Sequence, residues 1–153
     1  MDALTVLKAD HEALRELFDQ FNEAKESKDA ALMGELQERI FRELEVHTSI
    51  EEEVFYPEAL QVGEEAEELV KEGVEEHHVV KFLMDEIEHL MPDDDAFVAK
   101  MTVLIENVEH HATEEEEELF PQLEKVFGKE RLAAMGEKLQ QAKQRHGGQS
   151  QSG

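Results

Sequence analysis

Cysteine is absent from the 153-residue sequence, which excludes disulfides, iron–sulfur clusters and thiolate chemistry. Cations are scarce: Lys and Arg total 15 against 39 Asp and Glu, a net charge of −24. A surface of that sign repels nucleic-acid backbones and anionic membranes. No apolar run approaches the ~18 residues of a membrane span. The stretch MDALTVLKAD lacks the basic start and apolar core of a secretion signal. The expected location is the cytoplasm, and the expected partner is a small molecule or a cation rather than a nucleic acid or a membrane. Proline and glycine are few, 3 and 8 residues, and β-type alternation is almost missing, so little interrupts a helix.

What remains is enough for one folded domain, with a hydrophobic share of 40%. Breaks fall at KESKD (25–29), PEALQVG (57–63), MPDDD (91–95) and Gly128. Asp29 and the run Asp93–Asp95 are candidate N-caps, and Pro92 stops the helix before it. Between the breaks run four apolar stripes at steps of three and four: Leu4, Leu7, His11, Leu14, Phe18, Phe21; then Leu32, Leu36, Ile40, Leu44, His47, Glu51, Val54; then Val70, Val74, His77, Val80, Met84, Ile87, Met91; then Phe97, Met101, Leu104, Val108, His111, Glu115, Leu119. Four such helices with short connections predict an all-α, antiparallel up-down-up-down four-helix bundle. A short fifth amphipathic helix is expected over 128–145, followed by a disordered tail over 146–153.

Each stripe is interrupted by histidine, and the second and fourth also by glutamate. EVHTSIEEEVFYP (45–57) and EHHATEEEEELFP (109–121) repeat the arrangement, with His47 four before Glu51 and His111 four before Glu115. Counting rise from the loops puts His11 about 21 Å and His47 about 26 Å from the first one. The same count across the other loops brings His77 and His111 level with them. One layer of the core then holds four imidazoles and two carboxylates. A single histidine in an apolar stripe is usually a core residue with one hydrogen-bond partner. Buried glutamates are rarer, because an unpaired charge there is costly. A metal-free His–Glu network is one way to satisfy six such groups; a cation does it better, neutralising the carboxylates and using the imidazole lone pairs.

Imidazole donors favour a transition metal over Ca or Mg. Two bridging carboxylates and four imidazoles fill eight of the twelve positions of two octahedral ions, leaving room for a bridging oxygen, water or substrate. That count favours a pair of iron ions over a closed structural zinc.

These residues resemble the hemerythrin-like family, bacterial-type proteins with an HHE cation-binding domain and the pattern H…HxxxE…H…HxxxE. Here the pattern is His11, His47-x-x-x-Glu51, His77 and His111-x-x-x-Glu115, and the resemblance covers residues 1–127, including LKADHEALRELF and EEHHVVKFLMDEI as matching lead helices. It implies a non-heme di-iron site with two Fe ions, oxo- or hydroxo-bridged, inside the bundle. The register places His78 and His110 beside the site or on the surface, and leaves His89 and His146 without a ligand role. The run Glu114–Glu118 reads as a solvated face except for Glu115. Tyr56, the only tyrosine, reads first as a packing residue; some members of the family place a tyrosine on iron from this region, so it is a further candidate metal ligand. Ideal helix geometry turns it away from His47, and only a distortion near Pro57 would bring it in.

Oxygen-carrying hemerythrins have a second histidine one turn after the third-helix ligand and a terminal aspartate at HxxxxD. Here those features are Lys81 and HxxxE. One iron is then less fully ligated by protein, which favours reaction with O2, peroxide or NO over reversible O2 storage. The expected role is handling of oxidative or nitrosative stress, with catalase- or peroxidase-like activity as its enzymatic form. Lys81 is placed to offer a proton if it reaches the core edge. The alternatives are sensing of O2, iron or redox state, O2 binding without turnover, ferritin-like iron oxidation or storage, and a metal-free acidic interaction module. The chain is expected to be a monomer or a weak homodimer.

Overall fold

The structure, a computed structural model, describes residues 1–151, and side chains as far as 147. No strand occurs among the described residues. Helix α1 spans Ala3–Glu26, and Asp2 caps it by accepting a hydrogen bond from the Thr5 N–H at 2.8 Å. Helix α2 spans Ala30–Ile50, capped by Asp29, and passes through a wider π-helical turn, Glu51–Phe55, into the short α3, Tyr56–Ala59. Helix α4 spans Glu64–Glu88 and α5 Asp95–Glu114, capped by Asp94. A second π-helical turn, Glu115–Leu119, leads into α6, Phe120–Val126. Helix α7, Lys129–Gln151, follows.

The arrangement is the antiparallel four-helix bundle that the stripes predict, with a fifth helix packed on it. Helix α1 lies against α2 and α5, α4 against α5, and α7 along α1 and α2. No helix among the described residues is long and apolar enough to cross a membrane. The apolar core is divided in two. One half, at the end where α1 begins, joins Leu4, Leu7, Ile50, Phe55, Val70, Phe120 and Leu123 to Leu132, Met135 and Leu139 of α7. The other joins Leu14, Phe18, Phe21, Ile40, Leu44, Val80, Met84, Phe97, Met101 and Val108. Between the halves lies the layer of buried histidines and glutamates.

Several stripe positions differ from expectation. Leu32, in the first turn of α2, and Met91, in the loop after α4, are exposed. Val54 is only half-buried, because the π-turn gives its place to Phe55 and Tyr56. On α4 the buried residue is Gly73 rather than Val74. The break expected at 57–63 begins late, since α3 continues through Pro57 to Ala59. Helix α7 has no end at 145: it is helical as far as Gln151, its end held where Arg145 and His146 both reach Glu53, at 2.9 and 3.3 Å. Residues 152 and 153 of the expected disordered tail lie outside the described residues.

One glycine fixes how closely α7 approaches. A Cβ on Gly136 would sit 2.2 Å from the Met1 carbonyl oxygen and 2.9 Å from the Ala3 nitrogen, both backbone atoms. Gly136→Ala gains about 1 kcal/mol of helix propensity and forces a shift costing about 1–3 kcal/mol. The expected outcome is a thermal midpoint lowered by a few degrees, read by circular dichroism.

Candidate metal centre

Six side chains, from four helices and the two π-turns, form the central layer. His11 comes from α1, His47 from the last turn of α2, His77 from α4 and His111 from the last turn of α5. Glu51 and Glu115 are the first residues of the two π-turns. All six are buried. Glu51 Oε1 lies 3.1 Å from His77 Nε2, 3.4 Å from His47 Nε2 and 3.7 Å from His111 Nε2. Glu115 spans the other diagonal, Oε1 at 3.2 Å from His11 Nε2 and Oε2 at 3.1 Å from His111 Nε2. The donor atoms of His11, His47, Glu51 and Glu115 fall within 4.8 Å of one another, and so do those of Glu51, His77 and His111. Two neighbouring metal positions sharing Glu51 are thus within reach, and all six residues read from the sequence come together.

Every imidazole also has an outer partner. His11 Nδ1 lies 2.6 Å from Glu116, His47 Nδ1 2.9 Å from Asp10, His77 Nδ1 2.6 Å from Glu52, and His111 Nδ1 2.8 Å from Glu76. An ionised carboxylate can only accept, so each Nδ1 donates, and in the neutral ring each Nε2 then turns its lone pair inward. The layout is two-fold in character: the acid preceding a candidate histidine ligand (Asp10, Glu76) holds the histidine of the next bundle helix, and the acid following a candidate glutamate ligand (Glu52, Glu116) holds the histidine of a lead helix. Sequence reasoning missed these four, and put Glu116 on a solvated face. The correction has a physical reason: Glu116 is gripped by His11 and by Arg15, whose Nη1 is 3.2 Å away. The readable signal was adjacency, an acid beside a ligand in each half. Three outer carboxylates have cations as well, Glu116 with Arg15, Asp10 with Lys143 of α7, and Glu52 with Lys81 at 3.7 Å.

Tyr56 enters the layer because the helix widens. In the first π-turn the Tyr56 N–H bonds to the Glu51 carbonyl, five residues back. In a straight α-helix the residue four after Glu51 would face the site; the inserted residue hands that place to Tyr56. The wider turn also accommodates Pro57, which lacks an N–H and would crowd the preceding turn of a regular helix. The buried phenol oxygen donates to Glu115 Oε2 at 2.9 Å and lies 3.0 Å from His111 Nε2 and 3.4 Å from His77 Nε2. Gly73 leaves space for it, since a Cβ there would be 2.7 Å from the hydroxyl and 3.0 Å from His111 Cε1. The second π-turn puts Phe120 in the equivalent position, its ring stacked on His11 at 6.1 Å.

The donor set fits a metal. His11 Nε2, His47 Nε2, Glu51 Oε2 and Glu115 Oε1 are buried with no hydrogen-bond partner, a costly state that a cation removes. The electrostatics agree. Burial works against charge on His11, His77 and His111, yet Glu115 and Glu51 outweigh it and hold all three imidazoles above their ordinary value, His111 well above. Burial pushes the Glu115 carboxyl up, but His111 and His11 bring it well below the usual range. Burial raises the Tyr56 phenol, and the charges of Glu115 and Glu51 raise it further. A pH prediction follows for the metal-free protein. Stability from the raised histidines is fully present below about pH 6.5 and lost as pH climbs through their folded values. Stability from Glu115 is present above about pH 4.3 and lost as acid protonates it. Metal needs neutral imidazoles, so loading reverses the upper limb. Thermal melts should therefore show the metal-free midpoint falling above neutrality while the loaded one holds or rises.

Against the imidazoles lies a cavity of about 20 Å³ whose remaining walls include Leu14, Leu44, Thr48, Val80, Val108 and Ala112. That is enough for one water-sized molecule. The residues set aside in the sequence are outside it. His78 and His110 are on the surface, pairing with Glu75 and Glu114 at 3.4 Å each. His146 pairs with Glu53. Lys81 does not enter the cavity; it is half exposed beside Glu52, as its long stem allows.

Comparison with known proteins agrees with this centre. The family model for the Hemerythrin HHE cation binding domain matches residues 2–123. An uncharacterised hemerythrin-like protein of Schizosaccharomyces pombe is 27% identical over 130 residues, 84% of this chain and 64% of that protein. A DNA nickase of Nostoc is 27% identical over 154 residues, covering 98% of this chain and 42% of that protein. The chain thus spans only part of the length of both. A crystal structure of a hemerythrin HHE cation-binding domain-containing protein from Mycobacterium kansasii superposes with a TM-score of 0.84 at 24% identity, covering 99% of this chain and 91% of that one. At that identity the likeness is one of fold.

Proposed function

From the chain's membership of the hemerythrin HHE cation-binding domain family we propose its function: it holds two iron ions and reacts with O2, hydrogen peroxide or NO, in the handling of oxidative or nitrosative stress in the cytoplasm. The observation that carries this reading is the convergence of four imidazole Nε2 atoms, each with its Nδ1 tied to a carboxylate, on two buried glutamates with unpartnered oxygens. Nitrogen and oxygen donors of this mixture suit iron, while the all-oxygen preference of Ca and Mg argues against them. Iron supplies the one- and two-electron changes that peroxide disproportionation requires. The protein's part is geometric. Glu51 belongs to both donor groups. The outer carboxylates fix each ring. The cavity against the imidazoles has room for one water-sized molecule, and most of its other walls are apolar. Tyr56, its hydroxyl among the donors, either ligates iron as phenolate or donates a proton at Glu115. With a net charge of −24, the partner we favour is this small molecule and not a nucleic acid.

Metal analysis of the purified, iron-reconstituted protein tests the first step, with about two Fe per chain expected. O2 evolution on addition of hydrogen peroxide tests the second. Folded protein that takes up no iron overturns the reading. A stable, reversible O2 complex without peroxide turnover makes the protein a carrier or sensor.

A further inference from the structure

The cavity at the imidazoles has no use without a way in, and the described residues offer a candidate face. A groove of about 450 Å³ runs over the surface between α2 and α4, lined by Arg42, Glu45, Ser49, Lys81, Met84 and His146 among others. Two residues, Thr48 and Val80, line both this groove and the buried cavity. A single layer of short side chains therefore separates solvent from the metal centre here. The opposite flank of the site, at Leu69, Glu114, Glu115 and Leu119, has a recess with about 0 Å³ of room for water.

We propose that this groove is the entrance to the metal cavity and that Thr48 is its gate, passing small uncharged molecules. The inference deepens the function proposed above and rests on it. The gate follows from side-chain physics. Valine in a helix is confined to essentially one χ1 rotamer, whereas threonine divides between two. Val80 is thus the fixed jamb and Thr48 the moving part. Its side-chain hydrogen bond is a long one, from Oγ1 to the Glu45 carbonyl at 3.4 Å. The selection follows from the walls. Beyond Thr48 the path meets Leu14, Leu44 and Val108, which favour uncharged molecules and make entry of an ion costly through desolvation. The groove's basic groups have acidic neighbours, with Lys81 beside Glu52, and Arg42 in the same lining as Glu45.

The primary test needs no metal. Dissolved O2 is paramagnetic and broadens methyl NMR signals wherever it penetrates. In the metal-free protein the methyls of Thr48, Val80, Leu44, Leu14 and Val108 should all respond. In Val80→Phe, which narrows the passage, Leu14 and Val108 should lose the response while Thr48 on the groove side keeps it. Interior methyls that broaden equally in the variant overturn the proposal. If Val80→Phe does not fold, Thr48→Ile adds bulk to the other side and should give the same result. With iron bound, either variant should slow the association of nitric oxide by about tenfold or more and slow dissociation equally, leaving affinity unchanged, as a gate must. An unchanged association rate also overturns it. Failure to bind iron would sink the proposed function and leave the O2 measurement readable, so the two failures are distinguishable.

Discussion

Glu51→Ala should yield a folded protein that holds neither metal ion. Glu51 is the residue common to both donor groups, and its Oε1 lies 3.1 to 3.7 Å from three of the four Nε2 atoms. Removing it withdraws an oxygen from each position at once, whereas losing one histidine withdraws a donor from one. The bundle itself rests on the two apolar halves above and below the layer, so the helical circular dichroism should persist. Bound iron should stabilise the wild-type chain by mass action; in Glu51→Ala the thermal midpoint should be the same with and without iron. Glu115→Ala should behave in the same way, because it touches His11 and His111 on the other diagonal. His78→Ala and His110→Ala, both on the surface, should keep the iron. A Glu51→Ala protein that still binds two Fe ions would remove the shared-carboxylate arrangement.

The second large effect concerns Tyr56 and the glycine that makes room for it. With its hydroxyl 3.0 Å from His111 Nε2 and 2.9 Å from Glu115 Oε2, the phenol has a place among the donors. In the metal-free protein it stays protonated, because burial and two nearby carboxylates oppose the phenolate. A bound cation reverses that balance. The ferric protein should therefore show a visible phenolate-to-iron absorption that disappears in Tyr56→Phe while the iron content remains. Gly73→Ala places a methyl 2.7 Å from the same hydroxyl and must displace it. That variant should weaken the band and lower iron affinity on the order of tenfold to a hundredfold, the size seen when a residue supporting a metal site is disturbed. A wild-type ferric protein with no such band would leave Tyr56 as a hydrogen-bond donor to Glu115 and nothing more.

The two residues illustrate different kinds of legibility. Glu51 could be found in the sequence because its spacing from His47 is a property of one helix: four residues apart is one turn, and one turn is one face. Tyr56 could not be placed. The sequence allows a distortion near Pro57, but the choice between a regular helix and a π-turn depends on what the extra residue gains. Here the gain is a hydroxyl seated among His77, His111 and Glu115, in a space that exists only because residue 73, on another helix, is glycine.

By itself the sequence determined the bundle, the level of the layer within it and the six histidines and glutamates that converge there, since a 3.6-residue period with polar interruptions is written locally and survives any small rotation of the helices. Tertiary structure alone decided the outer carboxylates, the entry of Tyr56, the cavity and its groove, and the fit of α7 against the start of α1. Each of those depends on the rotation and depth at which separate segments meet. Asp10 holds a histidine 37 residues away and Glu116 one 105 residues away, and Gly136 meets the backbone of Met1 to Ala3. Such contacts carry no period in the chain, because the partner that gives them meaning lies on another helix.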